Sequence, residues 1–321
     1  TRQGADLMTT RFHLAVPAEA PAAPTPLPGF ITDIRPRPGL REPRAATRAA
    51  QLTGLDGVYI PFDPESLESL VVAGSLLRES STLQVTAEFH PAIASPVYAA
   101  KLTASAQRYA ANRLSWRLLV DLDPAVARAQ GDFLDAAYRY ARAAEFLTVA
   151  KGVWAAGRGS AAGDPGARPE YHYEGRFYQV LGGGLPASRS DPRFPAIYLS
   201  GTSAEALALS EAHADVHVFT PAEDRGLLPA GVLAALDVAV VAREDDAEAA
   251  LLARRSGWDA LPGVLTGSFE RVAGTLAEYV AAGVSEFFVK TPDPVADGYL
   301  FGQHVVPLLS AESQKEALGV G

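Results

Sequence analysis

The segment Ala196-Ile197-Tyr198-Leu199-Ser200 runs into Gly201-Thr202-Ser203 and then into Ala204-Glu205-Ala206-Leu207, an apolar strand, a turn and a helix start. A helix start leaves backbone N–H groups without partners and faces outward with the positive end of its dipole. Gly201 lets a ligand approach the backbone, and Thr202 and Ser203 add hydroxyls, so the turn suits a phosphate. Either hydroxyl can equally serve as a plain N-cap. Other polar residues fall where predicted strands end: Ser66 shortly after the second, Glu88 and His90 at the third, Asp121 and Asp123 at the fourth, and Lys290 at the last. His90 is the natural proton-transfer group, because imidazole titrates near neutral pH. Its alternative is a hydrogen-bonded histidine at the strand ends. Glu88 is a base or a partner for Arg117, and Asp121 and Asp123 are ligands or helix caps. His217, inside an apolar strand, reads as packed. No His-Glu-x-x-His, His-x-His or Gly-x-Ser-x-Gly occurs, so zinc-peptidase and serine-hydrolase chemistry lack their motifs.

These residues must be held by a regular scaffold. Apolar, β-branched runs begin at Arg11, Gly57, Leu83, Leu114, Ala196, Asp215, Asp237 and Glu286. Helical patterns follow them, including Pro43 to Leu52, Glu65 to Arg78, Pro96 to Ala110, Phe133 to Trp154, Leu227 to Leu236 and Phe269 to Ala282. About eight strand–helix units predict an α/β fold, a (β/α)8 TIM barrel, whose ligands bind at the C-terminal ends of the strands. A doubly wound sheet is the alternative, but no Gly-x-Gly-x-x-Gly follows the first strand. The alternation breaks between Ala155 and Phe194, which reads as an insertion after the fourth unit carrying a hairpin around Glu170 to Val180. Pro17 to Arg44 is Pro- and Ala-rich and reads as a long loop able to cover the site. Residues 11–310 are expected to form one barrel domain. Residues 1–10 are read as disordered, with Thr1 to Leu7 an expression remnant ahead of the only methionine, Met8, and 311–321 as a tail.

Of 321 residues, 48% are hydrophobic, enough for a large core, and the formal net charge of -9 comes without any basic block. Nucleic acid and anionic membranes are therefore poor partners. There is no cysteine, which removes disulfides, thiolate metal sites and a thiol nucleophile. No apolar run spans a bilayer and no signal peptide is visible, so a cytoplasmic location is expected.

Several pieces in order resemble the bacterial luciferase-like superfamily, in particular its alkanesulfonate monooxygenase branch. They are Leu55-Asp-Gly-Val-Tyr-Ile-Pro, His90-Pro-Ala-Ile-Ala-Ser-Pro-Val-Tyr, Arg139-Tyr-Ala-Arg-Ala-Ala-Glu-Phe-Leu, Tyr173-Glu-Gly-Arg-Phe-Tyr, Pro195-Ala-Ile-Tyr-Leu-Ser-Gly-Thr-Ser and Leu265-Thr-Gly-Ser-Phe-Glu-Arg-Val-Ala. The resemblance spans Arg11 to Leu309. It implies a barrel that takes reduced FMN from a separate flavin reductase, adds O2 to it, and oxidises a small organic substrate through a peroxyflavin. The cofactor carries the hard chemistry and the protein positions it. The resemblance places the FMN phosphate on Gly201, Thr202 and Ser203, assisted by Arg139 and Tyr140. Ser66, Glu88, His90 and Asp121 would line the ring and substrate side. It also implies a dimer, of identical chains or with a homologue.

The chain departs from the family pattern at several of these positions. Val120, Asp121 and Leu122 stand where relatives place Thr-Gly-Ser, and Arg117 stands for a strand-4 asparagine. Ser66 replaces the sulfonate branch's cysteine, and Asp237 lies near the place of its strand-7 Arg and His. Two further readings share the fold: a non-catalytic subunit paired with an active homologue, and an oxidoreductase using the deazaflavin F420.

Overall fold

The computed structural model describes residues 10–18, 41–159, 170–185 and 192–309. In chain order its elements are β1 (Arg11–Ala15), α1 (Arg41–Leu52), β2 (Gly57–Ile60), α2 (Ser69–Glu79), β3 (Gln84–Phe89), α3 (Pro96–Tyr109), β4 (Leu114–Leu118), α4 (Pro124–Ala129), α5 (Ala136–Gly159), β5 (Tyr171–Glu174), β6 (Gln179–Gly183), β7 (Ile197–Ser200), α6 (Ala204–His213), β8 (Val216–Phe219), β9 (Leu233–Arg243), α7 (Asp246–Ser256), β10 (Leu265–Ser268), α8 (Phe269–Ala281), β11 (Val284–Lys290) and α9 (Ala296–Leu300). A π-helical turn, Phe301–Val305, continues α9.

Strands β1, β2, β3, β4, β7, β8, β9 and β11 pair in parallel in that cyclic order, and β11–β1 closes the ring. The expected (β/α)8 barrel is present. Its cause is visible in each strand, where successive side chains face opposite sides. Phe12 and Leu14, Val58 and Ile60, Val85, Ala87 and Phe89, and Trp116 and Leu118 pack outward against the helices as one continuous core. The opposite phase, Ala15, Tyr59, Tyr198, Val216, Val218, Ala235 and Phe288, forms a second cluster that fills the barrel. A parallel sheet buried on both faces is normally apolar throughout. Here the inward phase also carries His13, Glu88, Arg117 and Glu286, all at least nine-tenths buried, together with Asp237.

Toward the N-terminal end, Glu286 gathers three of these groups. His13 Nε2 lies 3.1 Å from Glu286 Oε2, the Tyr198 hydroxyl donates to the same oxygen at 2.8 Å, and Arg11 approaches Oε1 at 3.4 Å. Burial alone would raise the Glu286 carboxyl, but His13, Tyr198 and Arg11 hold it below its ordinary value.

The expected helix over 227–236 is replaced by a short 3-10 turn at Arg225–Leu227 and by β9, which starts at Leu233. Alanine and leucine favour a helix in isolation, but Pro229 and Gly231 interrupt it, and pairing of Leu233 to Leu236 with β8 decides the outcome. The C-terminal half of β9 runs past the barrel and pairs with β10, a strand the sequence reading left out. Helix α2 starts at Ser69 rather than Glu65, with Glu68 as its N-cap. An antiparallel hairpin, β5–β6, lies between α5 and β7. Most of the loop expected at 17–44, residues 160–169 and 186–191 of the expected insertion, and both expected terminal segments lie outside the described residues.

Candidate functional site

At the C-terminal ends of the strands a cavity of about 180 Å³ opens at the barrel mouth. Its walls are Leu119, Val120, Val218 and Phe219, and its polar groups include Arg117, Asp121, Thr220, Glu223 and Asp237. Ser200 and Gly201 form one end. Ligand pockets commonly measure about 300–1,000 Å³. This one admits the edge of a ring and a small molecule, and the rest of a larger ligand must lie over the rim.

The cavity floor is a charged bar across the barrel. Arg117 on β4 donates from both terminal nitrogens to the Asp237 carboxylate on β9, at 2.8 Å each. Its Nε faces Glu88 Oε1 on β3 at 3.1 Å, an ion pair outside hydrogen-bond alignment. Lys290 Nζ on β11 reaches Asp237 at 3.5 Å. Glu88 also accepts from the Phe62 amide at 2.9 Å. The guanidinium lies over Tyr59 and Phe288, 4.8 and 5.1 Å from the ring centroids, which adds cation–π attraction. Burial would lower the Arg117 pKa, but Asp237, Tyr59 and Glu88 hold it well above its ordinary value. Burial would likewise raise Asp237, and Arg117 and Lys290 keep it below the usual carboxylate range. Burial, opposed by Arg117 and reinforced by Glu88 and Asp237, raises the Tyr59 hydroxyl. Four charges in two opposite pairs leave the floor neutral.

The turn after β7 forms the rim. Gly201 has φ +105°, and a Cβ there would meet Ala206 Cβ at 3.0 Å, Tyr140 Oη at 3.2 Å and Asp121 Oδ2 at 3.6 Å. Both the positive φ and this crowding require glycine here, and its backbone lines the cavity. Thr202 and Ser203 are exposed. Ser203 Oγ caps α6 by accepting from the Ala206 amide at 3.1 Å. The Tyr140 hydroxyl donates to Asp121 Oδ2 at 2.5 Å. Burial first, and then this carboxylate, push the Tyr140 pKa upward. Ser203→Ala is expected to cost about 1 kcal/mol of stability in urea denaturation, the usual worth of a cap.

The structure therefore brings Gly201, Asp121, Tyr140 and Ser203 together, with Thr202 beside them. Arg139 is nearby but turned inward, donating to the Leu122 carbonyl at 3.2 Å. Glu88 is at the floor as the partner of Arg117. Ser66 is half-buried in the loop after β2, away from the cavity lining, and its hydroxyl has no hydrogen-bond partner among the described residues. His90 does not line the cavity either. It is 1% exposed, with Nδ1 3.0 Å from the Leu119 carbonyl and Nε2 2.9 Å from Asp132 Oδ2. Arg142 joins this cluster by donating to both Asp132 oxygens, at 3.3 and 2.7 Å. These contacts tie the end of β3 to the segment that follows β4 and to α5. His217 is packed, with Nδ1 2.8 Å from Ser210 Oγ. Glu223 and Asp237 are charged cavity residues the sequence reading did not select, and Asp237 carried a readable sign. Its signal was a lone carboxylate between Leu236 and Val238, in the inward phase of an apolar strand.

A ring cofactor with an extended tail fits this ground in two respects. Gly201 lines the cavity with backbone at the start of α6, and the apolar walls match the faces of a flat ring. Among the described residues no group of three or more His, Cys, Asp or Glu side chains is placed to hold a metal ion. None of the described helices is long and apolar enough to cross a membrane.

Known structures share this architecture. A riboflavin lyase (RcaE), solved with modified FMN and riboflavin, superposes with a TM-score of 0.76 at 15% identity, covering 95% of this chain and 92% of that one. EDTA monooxygenase (EmoA) from Chelativorans sp. BNC1 gives 0.72 at 16% identity, with 95% and 94% covered. An F420-dependent secondary alcohol dehydrogenase, in complex with an F420-acetone adduct, gives 0.71 at 13%, with 94% and 99% covered. At such identities the likeness speaks for the fold. The sequence itself goes further, because the profile described as luciferase-like monooxygenase matches residues 10–279, from β1 through most of α8. The chain belongs to the luciferase-like monooxygenase family.

Proposed function

We propose that the chain is an FMN-dependent monooxygenase that oxidises a small organic substrate at the barrel mouth, with reduced flavin delivered by a separate reductase. The observation that carries this reading is the junction of the Gly201–Thr202–Ser203 turn with the mouth cavity. A glycine backbone and the open end of α6 meet an apolar slot above a neutral ionic floor. When bound, reduced flavin supplies the electrons with which O2 places one oxygen atom on the substrate and releases the other as water.

The chain's own residues then have distinct tasks. Gly201 lets the tail approach, while the α6 amides and the Thr202 and Ser203 hydroxyls donate to it. Arg139 and Tyr140 act through the neighbouring backbone and through Asp121, so they shape the rim. Leu119 and Val120 exclude water from the edge of the ring, and Val218 and Phe219 from the substrate beside it. Arg117 and Glu88 hold the floor, and His90 keeps the strand ends in place. Ser66, outside the cavity lining, has no task in this reading.

Deazaflavin is the second reading, and Asp121 favours it. A phosphate monoester carries about 1.5 to 2 negative charges at neutral pH. The F420 tail passes through a phosphodiester with a single charge, which an adjacent carboxylate repels less. The deciding experiment is a titration with oxidised FMN, reduced FMN and F420. Tight binding of reduced FMN is expected. Binding of F420 alone selects the deazaflavin enzyme. Binding of none, together with a stable complex with a second barrel protein, selects the non-catalytic subunit and overturns the proposal.

A further inference from the structure

The charges around the mouth cavity do not cancel. Among the described residues Arg117 is the one cation in its lining; its terminal nitrogens donate to Asp237 and its Nε faces Glu88, while Lys290 outside the lining is also paired with Asp237. The two other lining carboxylates, Asp121 and Glu223, are held only by neutral donors. Tyr140 donates its hydroxyl to Asp121, and the Thr220 amide donates to Glu223 Oε2 at 2.5 Å. Among the described residues neither carboxylate enters an ion pair. Burial lowers the pKa of His217, the titratable base that feels Glu223, and Glu223 opposes that shift only in part. The slot thus combines apolar walls with two uncompensated negative charges, within a chain whose net charge is already -9.

We propose that this cavity takes a small organic ammonium compound beside the ring edge, with the alkyl part against Val218 and Phe219 and the cationic nitrogen toward Asp121 and Glu223. A sulfonate or carboxylate of the same size, seated in the slot away from the Gly201 turn, meets repulsion from the same two groups, and no cation in the lining is free to answer it. The discrimination is therefore a difference between attraction and repulsion at one place. It rests on the reading of the mouth as the substrate site, and it adds the substrate's charge to that reading.

The probes are n-butylammonium and butane-1-sulfonate, titrated against the full chain at matched ionic strength by ligand-observed NMR. The ammonium is expected to bind about tenfold tighter than the sulfonate, as charges a few ångströms apart near a surface dictate. Asp121→Asn and Glu223→Gln keep their hydrogen-bond acceptors and remove only charge. The double variant is expected to lose the preference, although its net charge remains strongly negative. A preference that survives in the double variant belongs to the diffuse acidic surface and overturns the inference. So does equal or tighter binding of the sulfonate, or binding of neither probe. Flavin binding without the ammonium preference leaves the flavoenzyme reading standing and sinks this one, and the opposite pair of results does the reverse.

Discussion

Arg117→Met is expected to destabilise the barrel by about 3–5 kcal/mol, the usual cost of leaving one side of a buried ion pair unpaired. Methionine fills much of the same volume between Tyr59 and Phe288, so the loss is chiefly electrostatic. It strands Glu88, which lies 3.1 Å from Nε, and it removes both hydrogen bonds to Asp237. Lys290, at 3.5 Å, is partly exposed and compensates only in part. Adding Asp237→Asn is expected to recover part of the loss, and the double-mutant cycle then measures the coupling. The pH dependence supplies a sign that a simple packing defect would not give. In the native chain the Asp237 carboxyl is held below its ordinary value of about 3.9. Its contribution is complete above that value and is lost as pH falls through the depressed folded pKa. Without Arg117, burial is opposed only by the partly exposed Lys290 and raises the folded pKa, so the variant gains stability as pH falls through it. The stability gap between native chain and variant should therefore narrow in acid, as followed by urea denaturation at several pH values. A gap that stays constant with pH would assign Arg117 a packing role only.

That floor also shows where sequence reading stops. The strands were legible because each is a short apolar run whose partner phase faces helices, and eight of them imply closure. Glu88 and Arg117 were readable as partners because they sit on consecutive strands. Asp237 lies 120 residues from Arg117, and their contact exists only because the barrel closes. No local spacing encodes such a pair. His90 illustrates the opposite error. A position at a strand end places a residue near the rim, but direction is set by what packs behind it. β3 ends at Phe89, and beyond it His90 turns its Nε2 toward the Asp132–Arg142 pair and its Nδ1 toward the Leu119 carbonyl. β9 was misread at its start because helix propensity in an Ala-rich stretch is small beside the gain from strand pairing. The strand, turn and helix around Gly201 were legible, and of the two hydroxyls Ser203 serves as the N-cap the sequence allowed. What that reading lacked was Asp121, which only the tertiary structure sets beside the turn.

Gly201→Asp is expected to reduce flavin affinity about 100-fold, because a carboxylate at this point faces a phosphate that carries nearly two charges. The structure sharpens how this should be measured. With φ at +105°, any side chain is strained, and its Cβ would press on Ala206 and Tyr140 at 3.0 and 3.2 Å. Such strain costs about 1–3 kcal/mol of stability whatever the side chain. Gly201→Ala carries the strain without the charge and separates the two effects. Both variants should lose similar stability in thermal unfolding, while the aspartate loses far more FMN affinity than the alanine. Riboflavin, which lacks the phosphate, should distinguish them little. Equal FMN affinities for the two variants would show that the turn feels no anion, and the tail would then have to lie elsewhere on the rim. A larger loss with aspartate for FMN than for riboflavin locates the phosphate at Gly201 through its charge, independently of how well either variant folds.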